Sequence, residues 1–442
     1  MPDKVADHGE SGDNEPDVKP EVNEPAVVEP DITESQVVAT SPRHTRIIGL
    51  DGMRGIGAFA VVFGHIAENY APTVNKQYMI GMLGVALLIF FCLSGFLLFL
   101  PYVRRLTADP NRLKMPSTSQ YGLHRLLRVF PGYLVIFLIV NFVFRIAYID
   151  NPATHPKGQA LGTGMITDPG QLLANLTLTQ TYFPAYIQTG LNPSWSLTTE
   201  ILFYASLPFL GMLLFRLRGR WKGHPLVLAC LAPAILLVIG VVCRLFAPMV
   251  ADHFGIHQIE MQNWGPNWVA VFLRSYPANA DIFAFGMLAA VLFVALEQEV
   301  VREAIARRVR MLCTVGLLLS AVVSLYLAAD QSYFATMAIG ALSGLLILSV
   351  VVPLARGQET ALTKWLDSKP FFFIGTISLS IYLWHYPVLL LLGRYNLQGS
   401  DTWPGLLRST LIVGAVTILF STLTYYLVER PALNSAKYFR RK

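Results

Sequence analysis

Ten apolar runs, each close to the length that crosses a bilayer, take up most of this chain. Their approximate limits are 55–70, 79–101, 129–149, 196–215, 226–247, 279–297, 311–329, 333–354, 371–393 and 405–428. A helix needs about 20 apolar residues to span the hydrocarbon layer. Only 14% of the 442 residues are charged, whereas soluble domains average about 25%. The expected fold is all-α: a polytopic membrane protein of about ten transmembrane helices.

The placement of the cationic residues predicts the topology. With the amino terminus in the cytoplasm, the alternate loops on that side hold Arg104, Arg105, Arg112, Lys114, Arg125 and Arg128. Next come Arg216, Arg218, Arg220 and Lys222, then Arg302, Arg307, Arg308 and Arg310. Arg356, Lys364 and Lys369 follow, and Arg440, Arg441 and Lys442 close the chain. The opposite loops carry scattered charges such as Lys157, Arg274 and Arg394. The positive-inside rule then puts both termini in the cytoplasm. The net charge of +6 is thus a matter of topology, and no nucleic-acid partner is expected.

Residues 1–42 are rich in Asp, Glu, Pro and Ser with no apolar period, and read as a disordered acidic tail. They lack the basic start and apolar core of a signal peptide. Residues 43–432 form the transmembrane domain and 433–442 a short basic tail. The four cysteines, Cys92, Cys230, Cys243 and Cys313, lie in or beside apolar runs without metal-ligand spacing. They read as packing residues, with no disulfide and no metal expected. No internal repeat of the kind that builds transporters is visible. Two long segments on the non-cytoplasmic side, about 150–195 and 248–278, supply material for a lid or groove. The stretch GQLLANLTLTQTYFPAY within the first is a candidate, and it contains a glycosylation sequon at Asn175.

The stretch LDGMRGIGAFAVVFGHIAEN, residues 50–69, carries the first candidate site. Arg54 and His65 are eleven positions apart. On a helix that is about 20° past three full turns, with a rise of roughly 16 Å, so both side chains share a face. The spacing places the arginine at a membrane surface and the histidine about half a bilayer in. A titratable group at that depth either works in function or ties helices together by hydrogen bonds.

Further polar residues interrupt the apolar runs. Ser94-Gly95 breaks a wall of large side chains in IFFCLSGFLLFL, as a close-packing point or a hydrogen-bond donor. Arg125 and Arg128 precede Pro131 on a short helix, and read either as an anion cradle or as ordinary inside charge. Glu200 enters the fourth run, and Asp281 begins the sixth; each anchors a helix end or serves a histidine as a proton partner. Tyr382 and His385 lie three apart in GTISLSIYLWHYPV and share a face. Glu429 and Arg430 read as a structural ion pair.

The ordered set of LDGMRG with His65, FFCLSGFL, RLLRVFPGY, PSWSLTTE, ADIFAFGM, ISLSIYLWHYP and ERP resembles membrane acyltransferase family 3, from Ile48 to Pro431. One departure is that His124 alone stands where family members often carry two basic residues. The resemblance implies transfer of an acyl group, often acetyl, from a cytoplasmic acyl-CoA to a hydroxyl of a carbohydrate or lipid-linked acceptor. It implies a catalytic His65 with Arg54 and Glu200, donor contacts from Arg125, Arg128 and Arg54, and substrate contacts from Ser94, Trp195, Tyr382 and His385. Many relatives carry an esterase-like carboxy-terminal domain; any such activity is expected to come from a separate partner protein or to be unnecessary. The expected location is the plasma membrane. Two alternatives stay open: a proton-coupled transporter or flippase, and a membrane N-acyltransferase acting on an amine.

Overall fold

A computed structural model describes residues 46–108, 113–155, 161–300 and 303–436. The expected acidic tail, residues 437–442 of the basic tail, and Arg112, Lys157 and Arg302 lie outside these residues. The chain divides into Met1–Arg46 and Ile47–Lys442, and the architecture below is that of the second unit.

The unit is built from antiparallel helices: α1 (Leu50–Tyr70), α2 (Leu87–Leu106), α3 (Thr118–Leu138), α4 (Trp195–Arg218), α5 (Leu231–His253) and α6 (Tyr276–Glu297). It continues with α7 (Glu303–Ala329), α8 (Ala335–Leu354), α9 (Lys369–Thr376), α10 (Ser378–Arg394) and α11 (Trp403–Thr424). Among the described residues, eight helices are long and apolar enough to cross a membrane, or nine if α9 and α10, bent by 71°, form one span. The polytopic all-α class is therefore as expected. α1 is not among those eight: Asp51, Arg54 and Glu68 dilute its apolar content, although its 21 residues reach far enough.

Several limits differ from the sequence reading. The second span opens as a 3-10 turn, Ile80–Ala86, before α2. The third begins eleven residues earlier than expected, because Ser117 caps α3 by accepting the Gln120 N–H at 3.5 Å. Arg125 and Arg128 therefore sit inside a long helix, with Pro131 in its interior. A π-helix over Ile139–Phe144 ends that span. The ninth run is broken, and the tenth ends in a π-helix at Tyr425–Glu429.

Two glycines bring α2 and α6 into backbone contact. A Cβ on Gly95 would fall 2.1 Å from the Phe283 carbonyl oxygen, and one on Gly286 would fall 1.8 Å from that of Cys92. No other residue type allows this approach. Phe91 and Phe203 stack on Phe283 beside the seam, at 4.8 and 4.2 Å. Asp281 anchors α6 to α5: Arg244 Nε and Nη2 donate to its two oxygens at 2.8 and 2.9 Å. Of its two expected readings, helix anchoring is the one formed.

At the end of the bundle where α1 finishes, residues 145–155 and 161–194 fold into a cap. β1 (Ala147–Tyr148) pairs antiparallel with β2 (Thr163–Gly164), and Tyr148 bridges to Gly190. The sequon residue Asn175 is fully buried, with Nδ2 donating to the Gln171 carbonyl and the Thr189 hydroxyl. A glycosyl transferase has no access to it in this fold.

Candidate active site

His65 meets His385 across the α1–α10 contact. Nδ1 of His65 lies 2.9 Å from Nε2 of His385, and the two ring planes are within 8° of parallel. Nδ1 of His385 lies 3.3 Å from the Ile381 carbonyl, four residues back on its own helix. That carbonyl only accepts, so His385 Nδ1 carries a proton. In the neutral ring Nε2 then accepts from the Nδ1–H of His65, and the lone pair of His65 falls on its Nε2. The backbone of α10 thus sets the tautomer of a histidine on α1. Tyr386 packs edge-on to the His65 ring at 5.3 Å.

His65 lines a cavity of about 330 Å³. Gly84, also in its wall, keeps the space beside Nε2 open: a Cβ there would lie 3.7 Å away. The walls come from the His65 end of the bundle and from the cap, with Trp195, Tyr382, Tyr386, Trp264, Arg274, Gln188 and Asn192 among them. Tyr382 is held by the Ser196 hydroxyl and the Pro193 carbonyl, both at 2.8 Å. The sequence-selected residues His65, Trp195 and Tyr382 thus share one chamber, and His385 supports it from behind. The GQLLANLTLTQTYFPAY stretch does not line the chamber; residues just before and after it do.

The remaining candidates gather in a second cluster, away from the lining. Arg54 Nη1 lies 3.4 Å from Oδ1 of Asp51, three positions earlier on α1. Arg54 is also within electrostatic range of Arg128, Tyr204 and Glu200. Ser94 donates its hydroxyl to Glu200, so it is more than a packing residue. Arg125 lies 5.9 Å from the centre of the Tyr204 ring, and its buried Nε has no partner among the described residues. The expected Glu429–Arg430 pair does not form. Glu429 turns inward, accepts from the Ser380 hydroxyl at 2.5 Å and lies within range of Arg128, while Arg430 packs 5.6 Å from the Tyr426 ring. The π-helix at Tyr425–Glu429 reorients this end of the chain and separates the two side chains.

Fold and motifs therefore define a membrane-embedded acyl-transfer scaffold. Residues 47–426 match the model of the acyltransferase domain, and the chain belongs to that family. It is 25% identical over 395 residues to peptidoglycan O-acetyltransferase OatA of Listeria monocytogenes, covering 88% of this chain and 56% of the relative. O-acetyltransferase OatA of Staphylococcus aureus is 22% identical over 402 residues, with 88% and 57% covered. Acyltransferase MdmB of Streptomyces mycarofaciens is 31% identical over 176 residues, 38% of this chain and 40% of the relative. The chain thus spans a little over half the length of the first two relatives. No solved structure matches it.

Proposed function

We propose that the chain is an O-acyltransferase of the plasma membrane that moves an acyl group, acetyl foremost, from cytoplasmic acyl-CoA to a hydroxyl of a cell-envelope carbohydrate. The observation that carries this reading is His65 on the wall of the cavity, with its tautomer set through His385. The relatives named OatA are O-acetyltransferases, which supports the reaction class.

An acceptor hydroxyl in the cavity attacks the thioester carbonyl, and Nε2 of His65 takes its proton. The resulting imidazolium keeps its Nδ1–H on His385 Nε2, which disperses the charge. Collapse of the tetrahedral intermediate breaks the C–S bond, and the proton passes from His65 to the leaving thiolate. Acyl-CoA supplies the activated acyl group. Arg125 and Arg128, with Arg54, hold its phosphates from the cytoplasmic side, consistent with the uncommitted Nε of Arg125 and with the suitability of guanidinium groups for phosphate. Purified protein in vesicles with radiolabelled acetyl-CoA and an oligosaccharide acceptor tests the proposal: base-labile labelled ester must appear on the acceptor, and amide-linked label or net sugar movement instead would replace it with one of the alternatives.

A further inference from the structure

We infer that the wall of the cavity holds an anion subsite, built from Arg274, Trp195 and Trp264, that takes a carboxylate carried by the sugar acceptor. This inference rests on the reading of the cavity as the acceptor chamber. Arg274 is immobilised. Its Nε donates to the Asn263 carbonyl at 2.9 Å and its Nη2 to Asn263 Oδ1 at 2.6 Å. Its guanidinium carbon lies 3.6 Å from the Trp264 ring centre and 4.8 Å from that of Trp195. Arg274, Trp195 and Trp264 all line the cavity.

What remains uncommitted is all of one kind. Among the described residues, no hydrogen bond uses Arg274 Nη1 or the indole N–H of either tryptophan, and no ion pair is formed by the Arg274 guanidinium. Each of these groups donates and none accepts. A fixed, half-buried cation with no carboxylate paired to it among the described residues favours an anionic ligand. The aromatic faces beside it suit the apolar face of a pyranose ring. Glu68 and Glu260 also border the cavity, but neither pairs with Arg274. A neutral sugar would leave the guanidinium without a charge partner. An acidic sugar supplies one.

The test compares glucuronic acid with its methyl ester, which keeps the ring and removes the charge, and with glucose 1-phosphate. Two readouts are taken on the full chain in detergent: transfer of labelled acetyl from acetyl-CoA, and quenching of tryptophan fluorescence on sugar binding. Expected is a KM for glucuronic acid about ten- to a hundredfold below that of the ester, as befits a charge-assisted hydrogen bond. Arg274→Met should abolish the ratio, and Arg274→Lys should restore part of it. Equal KM values for acid and ester in the wild type would overturn the subsite, and that comparison needs no variant to fold. Preference for glucose 1-phosphate over the acid would reassign the site to phosphate and overturn the carboxylate. Carboxylate-selective quenching without transfer to any sugar would sustain the subsite and overturn the proposed reaction. Transfer at equal KM would do the reverse.

Discussion

His65 Nδ1 and His385 Nε2 lie 2.9 Å apart although 320 positions separate them in the chain. The contact turns two isolated polar positions on apolar helices into one relay that ends on the Ile381 carbonyl. Removing the second histidine should therefore impair the first without removing it. His385→Leu should lower kcat by about 10- to 100-fold, the usual effect of losing a group that orients a histidine. His385→Gln, whose side-chain oxygen can still accept from His65, should recover part of the rate. Steady-state kinetics with both variants checks this. Equal rates for Leu and Gln would show that His385 acts only by filling space.

The second cluster predicts a separate phenotype. Arg125→Ala and Arg128→Ala should each raise the KM for acetyl-CoA while leaving the KM for the sugar unchanged. A charge-assisted contact contributes about 1.5–3 kcal/mol, so the rise should be about tenfold or more. Titration of acetyl-CoA at fixed acceptor measures it. An unchanged donor KM in both variants would return the two arginines to ordinary positive-inside charge.

Arg244 and Asp281 are buried, with side chains 7% and 0% exposed. Arg244 also donates to the Tyr333 carbonyl at 2.7 Å and to the Thr336 hydroxyl. Asp281→Ala leaves a buried guanidinium without its carboxylate and should cost about 3–5 kcal/mol of stability. Replacing both by Arg244→Met and Asp281→Leu should recover most of that loss. Thermal unfolding in detergent reads both effects. A single variant as stable as the wild type would show that the pair does not hold α5 to α6.

Asp401 offers a pH-dependent test outside the spans. The Thr73 side chain, aided by backbone N–H groups of Thr73 and Val74, holds its carboxyl below the usual range. The Thr73 N–H reaches its two oxygens at 3.1 and 3.0 Å. With the folded pKa below the unfolded value of about 3.9, the stabilisation is present at neutral pH. It is lost as pH falls through the folded pKa. Asp401→Asn should thus unfold at a slightly lower temperature at pH 7 and converge with the wild type in acid. A gap that widens in acid would contradict the assignment.

Much of the bundle was legible in the sequence because apolar length is a local signal. Helix limits were less so. The α3 start depends on Ser117 capping a polar turn, and the break between α9 and α10 follows no run of polar residues. The site divided the same way. The shared face of Arg54 and His65 follows from helix geometry, and α1 is continuous between them. That His385 would bond His65, that Ser94 would bond Glu200, and that Glu429 would turn to Ser380 instead of Arg430 are pairings across 320, 106 and 49 positions. No local spacing encodes them. Arg274 looked like a scattered loop charge because one tryptophan partner stands ten positions earlier in its own segment and the other, Trp195, comes from a distant one. The one available signal was composition: two tryptophans and an arginine in the segments flanking an expected groove.

The most direct measurement is acetyl transfer by His65→Ala in vesicles supplied with radiolabelled acetyl-CoA and a saccharide acceptor. The variant must first match the wild type in insertion and thermal stability. Expected is a loss of rate on the order of 10² to 10⁴, the contribution of a positioned general base, with acetyl-CoA binding retained. A well-folded His65→Ala protein that acetylates at the wild-type rate would contradict the central assignment and leave only the membrane architecture standing.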